Sequence, residues 1–142
     1  MAKNVIVFIK NNGKLNMKLD HINIAAPMDL LEKTRDFYEQ VLGLEDGPRP
    51  NFPFRGYWMY GEGRPIVHLM ESEEHYPNEK RPYLDHVAFQ SAGVNDFVQN
   101  LKSLAMAYTA RNIPDFNIAQ VFCHDPCGNG IEINFMNEAI DE

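Results

Sequence analysis

Four short runs of this chain alternate strictly between apolar and polar positions. Ile22 and Ile24 oppose His21 and Asn23; Val67 and Leu69 oppose His68; Val87 and Phe89 oppose His86, Ala88 and Gln90; Ile131, Ile133 and Phe135 oppose Glu132 and Asn134. A period of two is the pattern of a half-buried β-strand, so each run predicts one face for packing and one face offering polar groups. Two other segments repeat with helical spacing. The first carries Leu30, Phe37, Val41 and Leu42; Asp29-Leu30-Leu31-Glu32 after Pro27 reads as its capping box, and Gly43 as its C′ stop. The second begins at Asn95 and sets Phe97, Val98, Leu101, Leu104 and Ala105 on one stripe. Further strands are expected near Leu44-Glu45, over Phe54–Tyr60 and Ile66–Met70 around a Gly61-Glu62-Gly63 turn, and at Ala107–Arg111, Ala119–His124 and Gly130–Phe135. The order is β-α-β-β-β, twice.

The two halves also repeat in sequence. Leu19-Asp20-His21-Ile22 is echoed by Leu84-Asp85-His86-Val87, His68 follows His21 by 47 residues, and Glu132 follows His86 by 46. An internal repeat indicates two copies of one supersecondary unit. This one puts His21, His68, His86 and Glu132 at equivalent points, on strands turned the same way, and these are side chains that bind divalent transition metals. Glu132 supports the site independently, because a carboxylate inside an apolar strand needs a partner and a metal supplies one. The modules span residues 17–72 and 83–136 of a single domain, 17–142, joined by the polar Glu71–Arg81 linker. Residues 1–16 stand outside the repeat as an N-terminal extension, with Asn4–Lys10 a possible extra strand. His75 and His124 read as exposed loop residues.

The 142 residues, 44% hydrophobic and 23% charged, fit one globular domain. A net charge of −7 argues against nucleic acid and against an anionic membrane surface. No run is long enough to span a bilayer, and no signal-peptide pattern opens the chain, so a cytoplasmic location is expected. Cys123 and Cys127 have neither redox nor zinc-ribbon spacing and read as reduced thiols flanking a turn.

Taken in order, Leu19-Asp20-His21-Ile22, Asp36-Phe37-Tyr38 with Val41-Leu42-Gly43, Val67-His68-Leu69, Leu84-Asp85-His86-Val87-Ala88-Phe89 and Asp125-Pro126-x-Gly128-Asn129-Gly130-Ile131-Glu132 resemble the vicinal oxygen chelate superfamily, over residues 19–136. That superfamily includes glyoxalase I, extradiol dioxygenases, fosfomycin-resistance thiol transferases and bleomycin-binding proteins. The resemblance implies an α+β fold in which two tandem βαβββ modules form an eight-stranded, partly open, cup-shaped mixed sheet with helices outside. It implies that His21, His86 and Glu132 form a metal triad. His68 falls where glyoxalase I has a glutamate that binds metal and moves protons. A second departure is Ala105, where relatives often end the helix with glycine.

The function this implies is that of a metal-dependent, glyoxalase-like lyase or isomerase. Its small substrate would chelate one divalent ion (zinc, nickel, cobalt, manganese or iron) through vicinal oxygens, with Glu132 or His68 moving the proton. Two alternatives stand beside it. Two histidines and one carboxylate are also the facial triad of non-haem iron oxygenases, which gives an extradiol-type dioxygenase. A non-catalytic antibiotic- or metabolite-binding resistance protein is the other. The exposed sheet edges of such a cup invite pairing, and a homodimer is expected.

Overall fold

The computed structural model describes residues 10–11, 14–15, 19–73 and 86–141. All of the expected Asn4–Lys10 strand but Lys10, most of the linker, His75 and Asp85 lie outside them. Strands β1 (Lys10–Asn11) and β2 (Lys14–Leu15) pair with each other as a separate small sheet. The first module is β3 (Ile22–Ala26), α1 (Met28–Gln40), β4 (Glu45–Gly47), β5 (Gly56–Gly61) and β6 (Arg64–Glu71). The second is β7 (His86–Ser91), α2 (Val94–Ser103), β8 (Thr109–Ile113), β9 (Ile118–His124) and β10 (Gly130–Met136). The sheet orders are β3-β6-β5-β4 and β7-β10-β9-β8, each with its first and last strands parallel and the rest antiparallel. The repeat is thus matched strand for strand, in two open four-stranded mixed sheets rather than a closed barrel.

Register is conserved between the halves. Ile22 pairs Val67 in β3·β6, and the equivalent Val87 pairs Ile131 in β7·β10. Because side chains alternate, this register sends Val67, Leu69, Ile131, Ile133 and Phe135 into the core, where each is almost fully buried. Helix α1 covers the first sheet with Leu31, Thr34, Phe37, Tyr38 and Val41, a stripe at helical spacing. Helix α2 contributes Val94, Val98 and Leu101, and Phe97 meets the Phe135 ring at 5.5 Å.

Local chemistry moved several boundaries. Helix α1 begins one residue before Asp29, with Pro27 in the cap position and no side-chain cap, so Asp29 sits in the first turn and the capping box does not form. The stop is as expected: Gly43 has φ +67° and its N–H donates to the Glu39 carbonyl, while Leu44 N–H reaches Tyr38 O. Ala105 lies past the end of α2 at φ +52°, exposed rather than on the buried stripe, and Met106 N–H bonds Leu101 O there. That turn uses residues assigned to the next strand, which starts at Thr109 instead of Ala107. Phe54 is held off the sheet because the Arg49 guanidinium donates to its carbonyl and its ring stacks on Phe52, so β5 starts at Gly56. The β5–β6 hairpin turns on Glu62 and Gly63, both at positive φ, between the paired Gly61 and Arg64.

The modules meet at a buried polar seam. Tyr38 of α1 donates its hydroxyl to Asp125 Oδ2 at 3.0 Å, and Asp125 also accepts from the Asn129 backbone and side-chain amides at 2.8 and 2.9 Å. Asp125 is only 4% exposed, so these bonds replace the water it loses. Burial, followed by the Asp125 carboxylate, pushes the Tyr38 phenol far above its usual range. In the same turn Thr34 Oγ1 lies 3.3 Å from Cys127 Sγ. Both cysteines are free thiols; burial raises Cys123 from 9.0 to about 11, and it raises Cys127 as well.

Helix α2 has Gly93 at its cap position, and Glu138 from beyond β10 replaces a local cap: its carboxylate accepts from Gly93 N–H and from Val94 N–H at 2.9 Å. Glu138→Ala should therefore destabilise the chain by about 1–2 kcal/mol, a fall of roughly 3–8 °C in Tm by thermal melting. An unchanged melt would mean that this cap contributes nothing. The raised thiols predict slow chemistry: native protein at pH 8 should react with iodoacetamide at least about tenfold more slowly than denatured protein, as counted by mass spectrometry. The sign follows from protonation, since a folded-state pKa above the unfolded one withholds thiolate until the pH rises past 9. Equal rates in the two states would contradict the buried placement.

Candidate functional site

The strand faces turned away from the helices carry the polar residues of the alternating runs. In the first module one cross-strand row reads Asn23, His68, Trp58, Gly47. In the second the equivalent row is Ala88, Glu132, Phe122, Thr109. An aromatic ring therefore flanks the candidate ligand in both halves. The same register settles the tryptophan strand: Trp58 shares the His68 face, while Tyr57 and Met59 point to the helix side, where Arg35 lies 4.7 Å over the Tyr57 ring.

His21 sits one residue before β3. Its Nδ1 is 2.6 Å from Asp20 Oδ2, and a carboxylate can only accept, so Nδ1 carries a proton and, in the neutral ring, Nε2 is the nitrogen with the lone pair. The bond to His21 is the main cause holding the Asp20 carboxyl below its usual range. A histidine so oriented is prepared to ligate through Nε2. His68 stacks on His21 at 3.9 Å and on Trp58 at 4.1 Å, with all three rings nearly parallel. Its Nε2 donates to the Pro65 carbonyl at 3.1 Å, which leaves Nδ1 as the nitrogen with a lone pair. Burial, then the neighbouring His21, lowers its pKa, so the ring is neutral around pH 7. The ladder continues through Phe52, 6.3 Å from Trp58, to Phe54, with Arg49 over both phenylalanines.

In the second module His86 Nε2 lies 3.7 Å from Glu132 Oε2. Two donors on one first-row metal lie about 3–3.5 Å apart, given bond lengths of roughly 2.0–2.2 Å, so this pair suits a divalent ion with a small adjustment. The Glu132 side chain is 12% exposed, and two amides steer it: Gln120 Nε2 donates to Oε1 at 3.1 Å and Asn134 Nδ2 to Oε2 at 3.2 Å. Gln120 Nε2 also donates to Asn134 Oδ1 at 2.9 Å, while its own Oε1 accepts from Arg111 Nε at 2.8 Å.

The donor set and its supports fit a metal, yet the four candidate ligands do not converge. His21 pairs with His68, and His86 with Glu132, but among the described residues no three of His, Cys, Asp or Glu gather at one point. One chain thus presents two half-sites. A cleft of about 90 Å³ between the modules is lined by Ile22, Ile24, Val87 and Ile131 of the apolar strand faces together with Asn23, Tyr38, His86 and Asn129. His124 is exposed at the end of β9, in register with Gly130, which pairs with His86 on its other side. Sequence reasoning missed Gln120 and its link to Arg111. The signal was present, since Gln120 interrupts the buried Ala119, Val121 and Cys123 with a polar group on the Glu132 face.

Solved structures resemble this fold across most of its length. A protein assigned to the glyoxalase family from Bacillus anthracis superposes with a TM-score of 0.68 at 24% identity, covering 87% of this chain and 98% of that one. Lactoylglutathione lyase from Agrobacterium tumefaciens gives 0.61 at 19% identity, covering 86% and 96%. A point variant of the fosfomycin resistance protein FosX from Listeria monocytogenes, in complex with Mn(II) and 1S,2S-dihydroxypropylphosphonic acid, gives 0.66 at 18% identity, covering 86% and 94%. A search of the curated proteins finds no match. No helix among the described residues is long and apolar enough to cross a membrane. The family model of the Glyoxalase/Bleomycin resistance protein/Dioxygenase superfamily matches residues 18–133, the stretch that holds both modules and all four candidate ligands, and the chain belongs to that superfamily.

Proposed function

We propose that this chain is a metal-dependent enzyme of the glyoxalase type, a lyase or isomerase acting on a small substrate through two adjacent oxygens. The carrying observation is the His86–Glu132 pair at 3.7 Å, with the carboxylate steered by two amides on a strand face turned away from the core. His21, His86 and Glu132, with His68 as a fourth candidate, would hold one divalent ion. When bound, that ion supplies Lewis-acid polarisation of the substrate oxygens. Asp20, by accepting from His21 Nδ1, turns Nε2 outward as the ligating nitrogen of the neutral ring, and the Gln120 and Asn134 amides fix the direction of the Glu132 lone pairs. His68, neutral and open at Nδ1, is placed to accept a proton, and Trp58 shields its outer face. FosX supports the substrate class, having been crystallised with Mn(II) and a compound bearing two adjacent hydroxyls.

The pairwise arrangement supports a homodimer in which the first-module pair of one copy meets the second-module pair of the other. Metal titration should then give one ion per chain, and His86→Ala or Glu132→Gln should weaken binding by at least about a hundredfold, against roughly 10–100-fold for Gln120→Leu, which only orients a ligand. Mixing His21→Ala with Glu132→Gln protein tests the geometry. A shared site reassembles one intact centre per mixed dimer and recovers tight binding; no recovery would place each site within one chain. Stoichiometric failure to bind any first-row divalent ion would sink the enzymatic reading.

A dioxygenase is the second reading, favoured by the Pro65 bond to His68 Nε2, which leaves His21, His86 and Glu132 as a facial triad. Iron-loaded protein that consumes no oxygen with catechol would remove it.

A further inference from the structure

We propose that His124 is a further ligand of the metal ion, completing with His86 and Glu132 a three-donor set inside the second module. The inference rests on reading His86 and Glu132 as metal ligands. Register carries it. His124 of β9 pairs with Gly130 of β10, and Gly130 pairs on its other side with His86 of β7. Directly paired residues share a face of the sheet, as do alternate residues along a strand. His86, His124 and Glu132, two places along from Gly130, therefore all rise from the face turned away from the helices. The two histidines stand one on each diagonal of Glu132, with Gly130 between them.

These side chains span such a diagonal. Diagonal neighbours on paired strands stand roughly 7–8 Å apart at the backbone, within reach of long side chains. His86 shows this on one side, with Nε2 3.7 Å from Glu132 Oε2. The carboxylate already serves both strands, since Oε2 faces His86 on β7 while Oε1 accepts from Gln120 on β9. Between the histidines stands a residue with no side chain. Its backbone does not call for glycine, because the glycines with positive φ among the described residues are Gly43, Gly63, Gly93 and Gly128. A glycine at 130 keeps the middle of the row free of a side chain that would stand between the two imidazoles.

His124 is also the histidine left uncommitted. His21 is bonded to Asp20, His68 to the Pro65 carbonyl, and His86 faces Glu132. His124 is exposed and has no hydrogen-bond or ion-pair partner among the described residues. Its backbone, by contrast, is held. The next residue is Asp125, 4% exposed, whose N–H donates to Asn129 O at 3.0 Å and whose carbonyl accepts from Gly128 N–H at 2.9 Å. That turn fixes the two strand ends carrying His124 and Gly130. The three donors stand apart in this structure. Rotation of one unbonded side chain between staggered rotamers gathers them, and it breaks no hydrogen bond. The set lies within one chain, so the second module holds an ion without help from the first-module histidines.

The test titrates Co(II), whose visible absorption reports coordination, into full-length wild type, His124→Gln and Glu132→Gln. The same titration is run on His21→Ala/His68→Ala protein with and without His124→Gln. NMR of each Co(II)-loaded protein counts the coordinated imidazoles by their paramagnetically shifted ring resonances. His124→Gln should keep the wild-type melt, weaken binding by about tenfold or more and remove one shifted imidazole. The His21→Ala/His68→Ala protein should still hold one ion per chain and lose it when His124→Gln is added. Unchanged affinity and an unchanged imidazole count in His124→Gln overturn the assignment, as does a His21→Ala/His68→Ala protein that behaves alike with and without His124→Gln. Because His124 is exposed, its single variant decides alone where the double variant does not fold. The proposed function is read separately from the same samples. Should Glu132→Gln weaken binding where His124→Gln does not, that reading stands and His124 is no ligand; should wild type bind no Co(II), both fail.

Discussion

The parallel pairing of the first and last strands in each module is the constraint on which the rest depends. A slip of one residue between β3 and β6 would turn His68 into the core and Val67 out of it; a slip between β7 and β10 would do the same with Glu132 and Ile131. Each error would bury a charge or an imidazole and expose a β-branched chain. The apolar contacts under α1 and α2 therefore do more than hold the sheets: they select the register that presents the candidate ligands. Folding and site assembly are one selection here, made twice.

The seam between the modules works by different chemistry. Tyr38, Asp125 and Asn129 form a closed set of hydrogen bonds in a buried place, and their directionality fixes orientation where apolar packing would tolerate sliding. The cleft bordered by Tyr38, Asn129 and His86 adjoins that set. The bond between one phenol and one carboxylate thus joins α1 to the turn before β10, beside His86 and β3.

Much of this was legible in the sequence, and the reason is periodicity. Alternation gave the four strands at or beside the candidate ligands and both faces of each, and the repeat gave their correspondence. Residues governed by single contacts were less legible. Asp29-Leu30-Leu31-Glu32 looked like a capping box, but Pro27 took the cap position; the second helix, expected from Asn95, starts at Val94 because Glu138, 45 residues after Gly93, supplies the acceptors. Gln120 was visible as a polar break in an apolar strand, but its role was not, because that is set by partners on two neighbouring strands. The division into two half-sites was likewise hidden, since equivalence within a repeat says which positions correspond and not whether they meet.

The stack of Trp58 on His68, and of His68 on His21, has an optical consequence. The chain holds one tryptophan, and it lies face to face with a ring of the candidate metal site. All indole emission from this protein therefore originates within one ring's thickness of that half-site. Whatever rearranges the two imidazoles changes the electronic surroundings of a single chromophore, with no second tryptophan to dilute the signal. The fold has in this way built an unlabelled spectroscopic probe into the first module and left the second one dark.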